Sequence, residues 1–245
     1  MILKVRNGKR SRGSSPYAAT APSIVLALGY LLALLVWLAL GDVLPGGRRL
    51  AIHLFTLGVL TNLVLTFSEH FARTVTSKAG ERPAWWPVVT NVGVLLVLVG
   101  LVARQCLLLV AGATIVTVSV LLAYHRIRAM RRAAIGGRFA WVARVYERAH
   151  RAFIYGAVLG AMLGNGVFAG NWYVPALIAH LHANILGWGG LTLLATLGFF
   201  GPSMGGHDSS PEPTSDRPRC SAMVPPVSAL RCSPCCSQDS LAQLV

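Results

Sequence analysis

The sequence predicts an all-α protein: a polytopic transmembrane bundle of about six helices, followed by a disordered C-terminal tail. Three observations carry that expectation. Of the 245 residues, 54% are hydrophobic and only 12% are charged, a shortage of charge that separates the chain from ordinary globular domains. The apolar residues gather into runs of roughly 20, the length a helix needs to cross a hydrocarbon core with its backbone hydrogen bonds closed internally. The basic residues lie between those runs, as the positive-inside rule requires of cytoplasmic loops. Residues 1–20 form a basic N-terminal segment, 21–204 the transmembrane domain, and 205–245 the tail.

The N-terminal segment carries Lys4, Arg6, Lys9, Arg10 and Arg12 and no acid. The apolar run Ile24 to Leu40 follows it, in the pattern of a secretory signal. A retained helix is the better reading, because the run is long for a signal and no A-x-A site follows before Asp42. The second helix, about Leu50 to Phe71, holds His53, Thr56, Thr61, Asn62, Thr66, Ser68 and Glu69 within an apolar span. The third runs from about Pro87 to Ala103, with Trp85 and Trp86 as interface anchors. After a break at Arg104 and Gln105 comes the fourth, Cys106 to Tyr124.

Residues 125–151 hold eight arginines against the single acid Glu147. They read as a cytoplasmic loop with an amphipathic helical part, whose face of Phe139, Val142, Val145 and Tyr146 suits the headgroup layer. The fifth helix, Ala152 to Ala169, spaces Gly156, Gly160 and Gly164 by four, a register that lets another helix approach closely. The sixth runs from about Val174 to Phe200. The more basic loops alternate, which places both termini in the cytoplasm of a multi-pass protein of the cell membrane.

Beyond Gly205 the chain turns rich in Pro, Ser and Cys and loses helical period, as expected of disorder. The abruptness of the change also fits a reading-frame shift or a truncation. The C-S-P-C-C stretch of the tail lacks a second ligand pair for zinc. The net charge of +14 is spread over separate loops, so membrane lipid is the expected partner and nucleic acid is not. Motifs for nucleotide binding and for soluble hydrolases are absent.

Ionisable groups at membrane depth mark candidate sites. With the orientation above, His53 of the second helix and His180 of the sixth fall within about two turns of the same depth below the outer face. His180 and His182 are two residues apart, so they point about 200° away from each other and do not readily share one metal. Neutral imidazoles on facing helices suit haem iron or copper. Histidines bonded to Asn165, Asn184 or backbone carbonyls are the structural alternative, with Asn62 a further supporting polar group. His70, His125 and His150 sit at cytoplasmic ends and read as ordinary solvated or headgroup histidines. Glu69 reads as an interface carboxylate near Arg73.

Three stretches, R-R-L-A-I-H-L-F-T-L-G-V-L-T-N with S-E-H-F, R-A-M-R-R-A-A-I-G-G-R-F and A-H-L-H-A-N-I-L-G-W-G-G-L-T-L-L-A-T-L, resemble actinobacterial polytopic membrane proteins named as copper oxidases. Those are distantly similar to haem-copper oxidase subunit I and to nitric-oxide-response membrane proteins. The resemblance covers about residues 20 to 204 and implies a redox role with haem or copper. It maps a second-helix haem ligand onto His53 and matches His180 and His182 in the sixth helix. Longer members continue with more helices or cupredoxin-like domains, which suggests other membrane or cupredoxin-like redox subunits as partners. Two functions stay open at this point: an oxidoreductase-type redox or metal-binding membrane protein with His53 and His180 or His182 as ligands, and a non-enzymatic membrane module, either a structural partner of a larger complex or a small-solute transporter.

Overall fold

The structure, a computed structural model, describes residues 20–204 apart from Asp42, Leu44, 77–82 and 135–139, and the backbone alone at 202–204. The basic segment before Thr20, Phe139 and the tail from 205 onward lie outside the described residues. What is described is a bundle of six helices with no strand. We label them α1 (Ala21–Ala39), α2 (Gly47–Thr76), α3 (Trp86–Ala103), α4 (Cys106–Ala133), α5 (Ala140–Gly164) and α6 (residues 173–204, entered through a 3-10 turn at Gly170–Trp172). All but α5 are long and apolar enough to cross a membrane.

Local chemistry sets the boundaries. Pro22 and Pro87 occupy the first turns of α1 and α3, where a missing N–H costs nothing and φ is already helical. At the end of α3, Arg104 turns left-handed (φ 54°) and the N–H groups of Arg104 and Gln105 return to the Gly100 carbonyl. That tight corner needs Gly100 itself, since a Cβ there would stand 2.7 Å from the Leu109 nitrogen. It folds α4 back onto α3, and Gly112 lets the two backbones meet, with the Gly93 carbonyl 2.6 Å from where a Cβ would sit.

The basic stretch differs from its expected form. Helices α4 and α5 continue through most of it, so only 134–139 separates them. Val142 and Tyr146, expected against headgroups, are fully buried in the bundle. Ala, Arg and Met are good helix formers, and the 3.6-residue rhythm continues past the apolar run, with Val142, Ala143, Tyr146, Ala149, His150 and Phe153 buried on one face of α5. His150 is therefore a core residue, 0% exposed, and not a solvated one. Helix α5 also ends earlier than expected, at Gly164.

The core has two apolar clusters separated by a polar layer. Leu65 of α2, Phe153 of α5 and Trp188 of α6 belong to the larger cluster. Ala72, Tyr146 and Ala195 of the same three helices belong to the smaller one. At the step between them lie Ser68 and Glu69, His150, and Thr192, all buried. Glu69 accepts hydrogen bonds from Arg73 Nη2 at 2.8 Å and from Arg126 Nε at 2.7 Å, which offsets the desolvation of its charge. Glu147 is held in turn by Arg131. We call this the basic end of the bundle and the opposite one the histidine end.

Candidate functional site

Toward the histidine end the helices part around a cavity of about 350 Å3, bounded by α2, α3, α4, α5 and α6, within the roughly 300–1,000 Å3 range of small-molecule sites. Its walls are mostly aliphatic and aromatic, including Leu57, Val97, Leu109, Val116, Phe153 and Leu177. Small residues open it: Ala157, Gly160, Ala161 and Gly164 form the α5 wall, so the glycine register serves contacts within the chain. A Cβ on Gly160 would come within 2.6 Å of the His180 ring, and one on Gly156 would strike the Asn184 amide.

Polar side chains from α2 and α6 break the apolar lining: Arg49, His53, Thr56, Tyr173, His180 and Asn184. His53 Nδ1 donates to the Arg49 carbonyl at 2.8 Å. His180 Nδ1 donates to the Gly156 carbonyl across the helix interface, also at 2.8 Å. Because a carbonyl only accepts, both rings carry a proton on Nδ1, which in the neutral imidazole leaves the lone pair on Nε2. Asn184 Nδ2 also lies 3.3 Å from His180 Nδ1, but its amide donates to the His180 carbonyl at 2.8 Å, consistent with Nδ1 already holding a hydrogen. A fixed tautomer with one ring nitrogen anchored to a backbone carbonyl is the arrangement that orients a ligating histidine.

His182 does not join them. Its Nδ1 donates to Ile178 O on its own helix at 2.8 Å, its side chain is exposed on the outer surface of α6, and it does not line the cavity. The two-residue spacing thus separates the pair as expected, and the cavity takes His180. Asn62 pairs reciprocally with Asn91 of α3 at 2.9 Å in each direction, and Asn165 caps the end of α5 by donating to Ala161 O. Asn184 alone of the three supports a histidine.

Both histidine-bearing helices change hydrogen-bond pattern at this level. Leu54–Leu60, directly after His53, and His182–Gly190, directly after Leu181, are π-helical, and the Thr61 N–H reaches back five residues to Thr56 O. Wider turns of this kind are uncommon and cluster at functional sites. Gly58 in the first segment receives the Tyr30 ring of α1. In the second, a Cβ on Gly187 would stand 2.7 Å from Ala152 Cβ.

Two residues of the site escape a reading by residue type. Arg49 lines the cavity one turn before His53, a position the four-residue spacing on α2 marks in retrospect. Trp188 forms the wall toward the polar layer, 1% exposed, its ring 4.2 Å from that of Phe153 and its indole N–H without a partner among the described residues.

The donor set discriminates between metals. No group of three or more His, Cys, Asp or Glu side chains converges among the described residues, and copper held by protein groups alone ordinarily uses three or more ligands. Haem held by imidazole needs one or two such side chains in an apolar surround, and His53 and His180 both line this mostly apolar cavity. No protein-family model, curated protein or solved structure matches the chain.

Proposed function

We propose that the chain is a haem-binding redox protein of the cell membrane, of the copper-oxidase-like group its sequence resembles, with His53 and His180 as the side chains that would hold the haem and with both termini in the cytoplasm. The observation that carries this reading is the pair of imidazoles on one apolar cavity, each anchored through Nδ1 to a backbone carbonyl. Haem, when bound, supplies one-electron chemistry or a binding place for a small gas molecule. The chain's own part is to orient the two rings, to exclude water with Leu57, Val97 and Phe153, and to offer the Arg49 guanidinium to an anionic edge of the ligand. Exchange of the electron requires a redox partner, for which the resemblance suggests other membrane or cupredoxin-like subunits. Copper is the weaker candidate here because, among the described residues, two imidazoles line the cavity and no third His, Cys, Asp or Glu joins them.

The test is the visible absorption spectrum, with metal analysis, of protein purified under conditions that retain cofactors. A Soret band that disappears in His53→Ala and His180→Ala, and returns with added imidazole, supports the reading. Absence of haem in wild-type protein, with both variants indistinguishable from it, sinks the redox reading and leaves the chain as a non-enzymatic membrane module. Orientation is tested separately: cysteines placed at Gly46 and Asn171 should label from outside, and one at Gly137 should not.

A further inference from the structure

The outer face of α5 carries a column of side chains that the histidine cavity does not use. Trp141, Arg144, Arg148, Arg151, Tyr155 and Val158 follow one another at three- and four-residue spacing and are all exposed, while Val142, Ala143, Tyr146, Ala149, His150 and Phe153 on the opposite face are buried. Such spacing puts the six on one stripe. From Tyr155 (75% exposed) and Val158 (51%) toward the histidine end, the stripe is apolar and suited to acyl chains. The three arginines below span eight residues, about 10 Å of helix from first to last, comparable with the depth of a headgroup layer. Trp141 closes the column by leaning on α6, where a Cβ on Gly198 would lie 2.6 Å from Trp141 Cη2.

Charge balance says what covers the column. The acids among the described residues are Glu69 and Glu147, both buried and both already engaged, by Arg73 and Arg126 and by Arg131. Arg144, Arg148 and Arg151 make no ion pair or hydrogen bond with any described residue. Three exposed guanidiniums stacked beside an apolar stripe offer their donors to anions at the bilayer surface. The fork of the guanidinium matches phosphate oxygens bidentately, and the aliphatic stems lie along acyl chains while the heads reach the polar layer.

We propose that this column is a binding site for the phosphate headgroup of an anionic phospholipid, with the acyl chains laid along Tyr155 and Val158. The site is independent of the haem reading.

The full chain, purified in detergent, is exposed to phosphatidylglycerol and to phosphatidylcholine of matched acyl chains, and the bound lipid is read by native mass spectrometry. Phosphatidylglycerol should be retained about tenfold or more over phosphatidylcholine, falling with salt, because each basic group near an anionic surface adds to the attraction. Arg144→Gln, Arg148→Gln and Arg151→Gln together should remove the preference, and the corresponding triple Lys variant should keep part of it. Equal retention of the two lipids by wild-type protein overturns the proposal, as does undiminished preference in the triple Gln variant. So does displacement of phosphatidylglycerol by inorganic phosphate at matched concentration, which would assign the arginines to a soluble anion. The salt dependence of the wild type decides the matter if the Gln variant does not fold.

Discussion

The same three helices, α2, α5 and α6, build two opposite environments. At the basic end they bring charge into a packed interior and bond it: Glu69 sits between Arg73 and Arg126, and Tyr146 Oη meets Thr196 Oγ1 at 3.0 Å. At the histidine end they hold two imidazoles around a cavity and leave one nitrogen of each uncommitted. Side-chain size on α5 makes the difference, with Tyr146, His150 and Phe153 filling one half and Ala157, Gly160 and Gly164 opening the other. In the proposed reading the first half serves stability and the second a ligand, so substitutions should separate along that line.

The largest loss of stability is expected from Glu69→Ala, which removes the buried carboxylate that Arg73 and Arg126 share. Breaking a buried ion pair by removing one partner costs about 3–5 kcal/mol, read as a drop in thermal unfolding midpoint in detergent, whereas His53→Ala should change that midpoint little.

A smaller effect is expected from Gly160→Ala, where the new methyl must displace the His180 ring or the α5 backbone. Overpacking of this kind costs about 1–3 kcal/mol, and here it should weaken ligand binding in the cavity more than it lowers the unfolding midpoint. The smallest is Asn62→Ala, which removes a reciprocal amide pair within the bundle and should cost about 1 kcal/mol. A loss several times larger would mean that the pair belongs to a wider network.

These contrasts track what a sequence carries. Runs of Val, Leu and Ile mark α1, α3 and α4 plainly, since hydrocarbon allows little else. The extensions of α4 and α5 were obscured because Arg and Glu end an apolar run without ending a helix, and the burial of His150 followed from the same cause. The presence of histidines at matching depth on α2 and α6 was legible from helical rise. Which of His180 and His182 faces the bundle was not, because spacing fixes their divergence and not the rotation of α6. That rotation is set by Gly156 and Gly160 receiving Asn184 and His180, a long-range match between two helices. The π-helical turns left no mark beyond a local richness in glycine.

Paired cysteines test the facing of His53 and His180 without reference to any cofactor. In the double variant His53→Cys with His180→Cys, a short bifunctional thiol reagent should bridge α2 and α6, with the linked peptides identified by mass spectrometry. His53→Cys with His182→Cys should give no such bridge, because position 182 lies on the outer surface of α6. Bridging from 182 as readily as from 180, or from neither, would contradict the account.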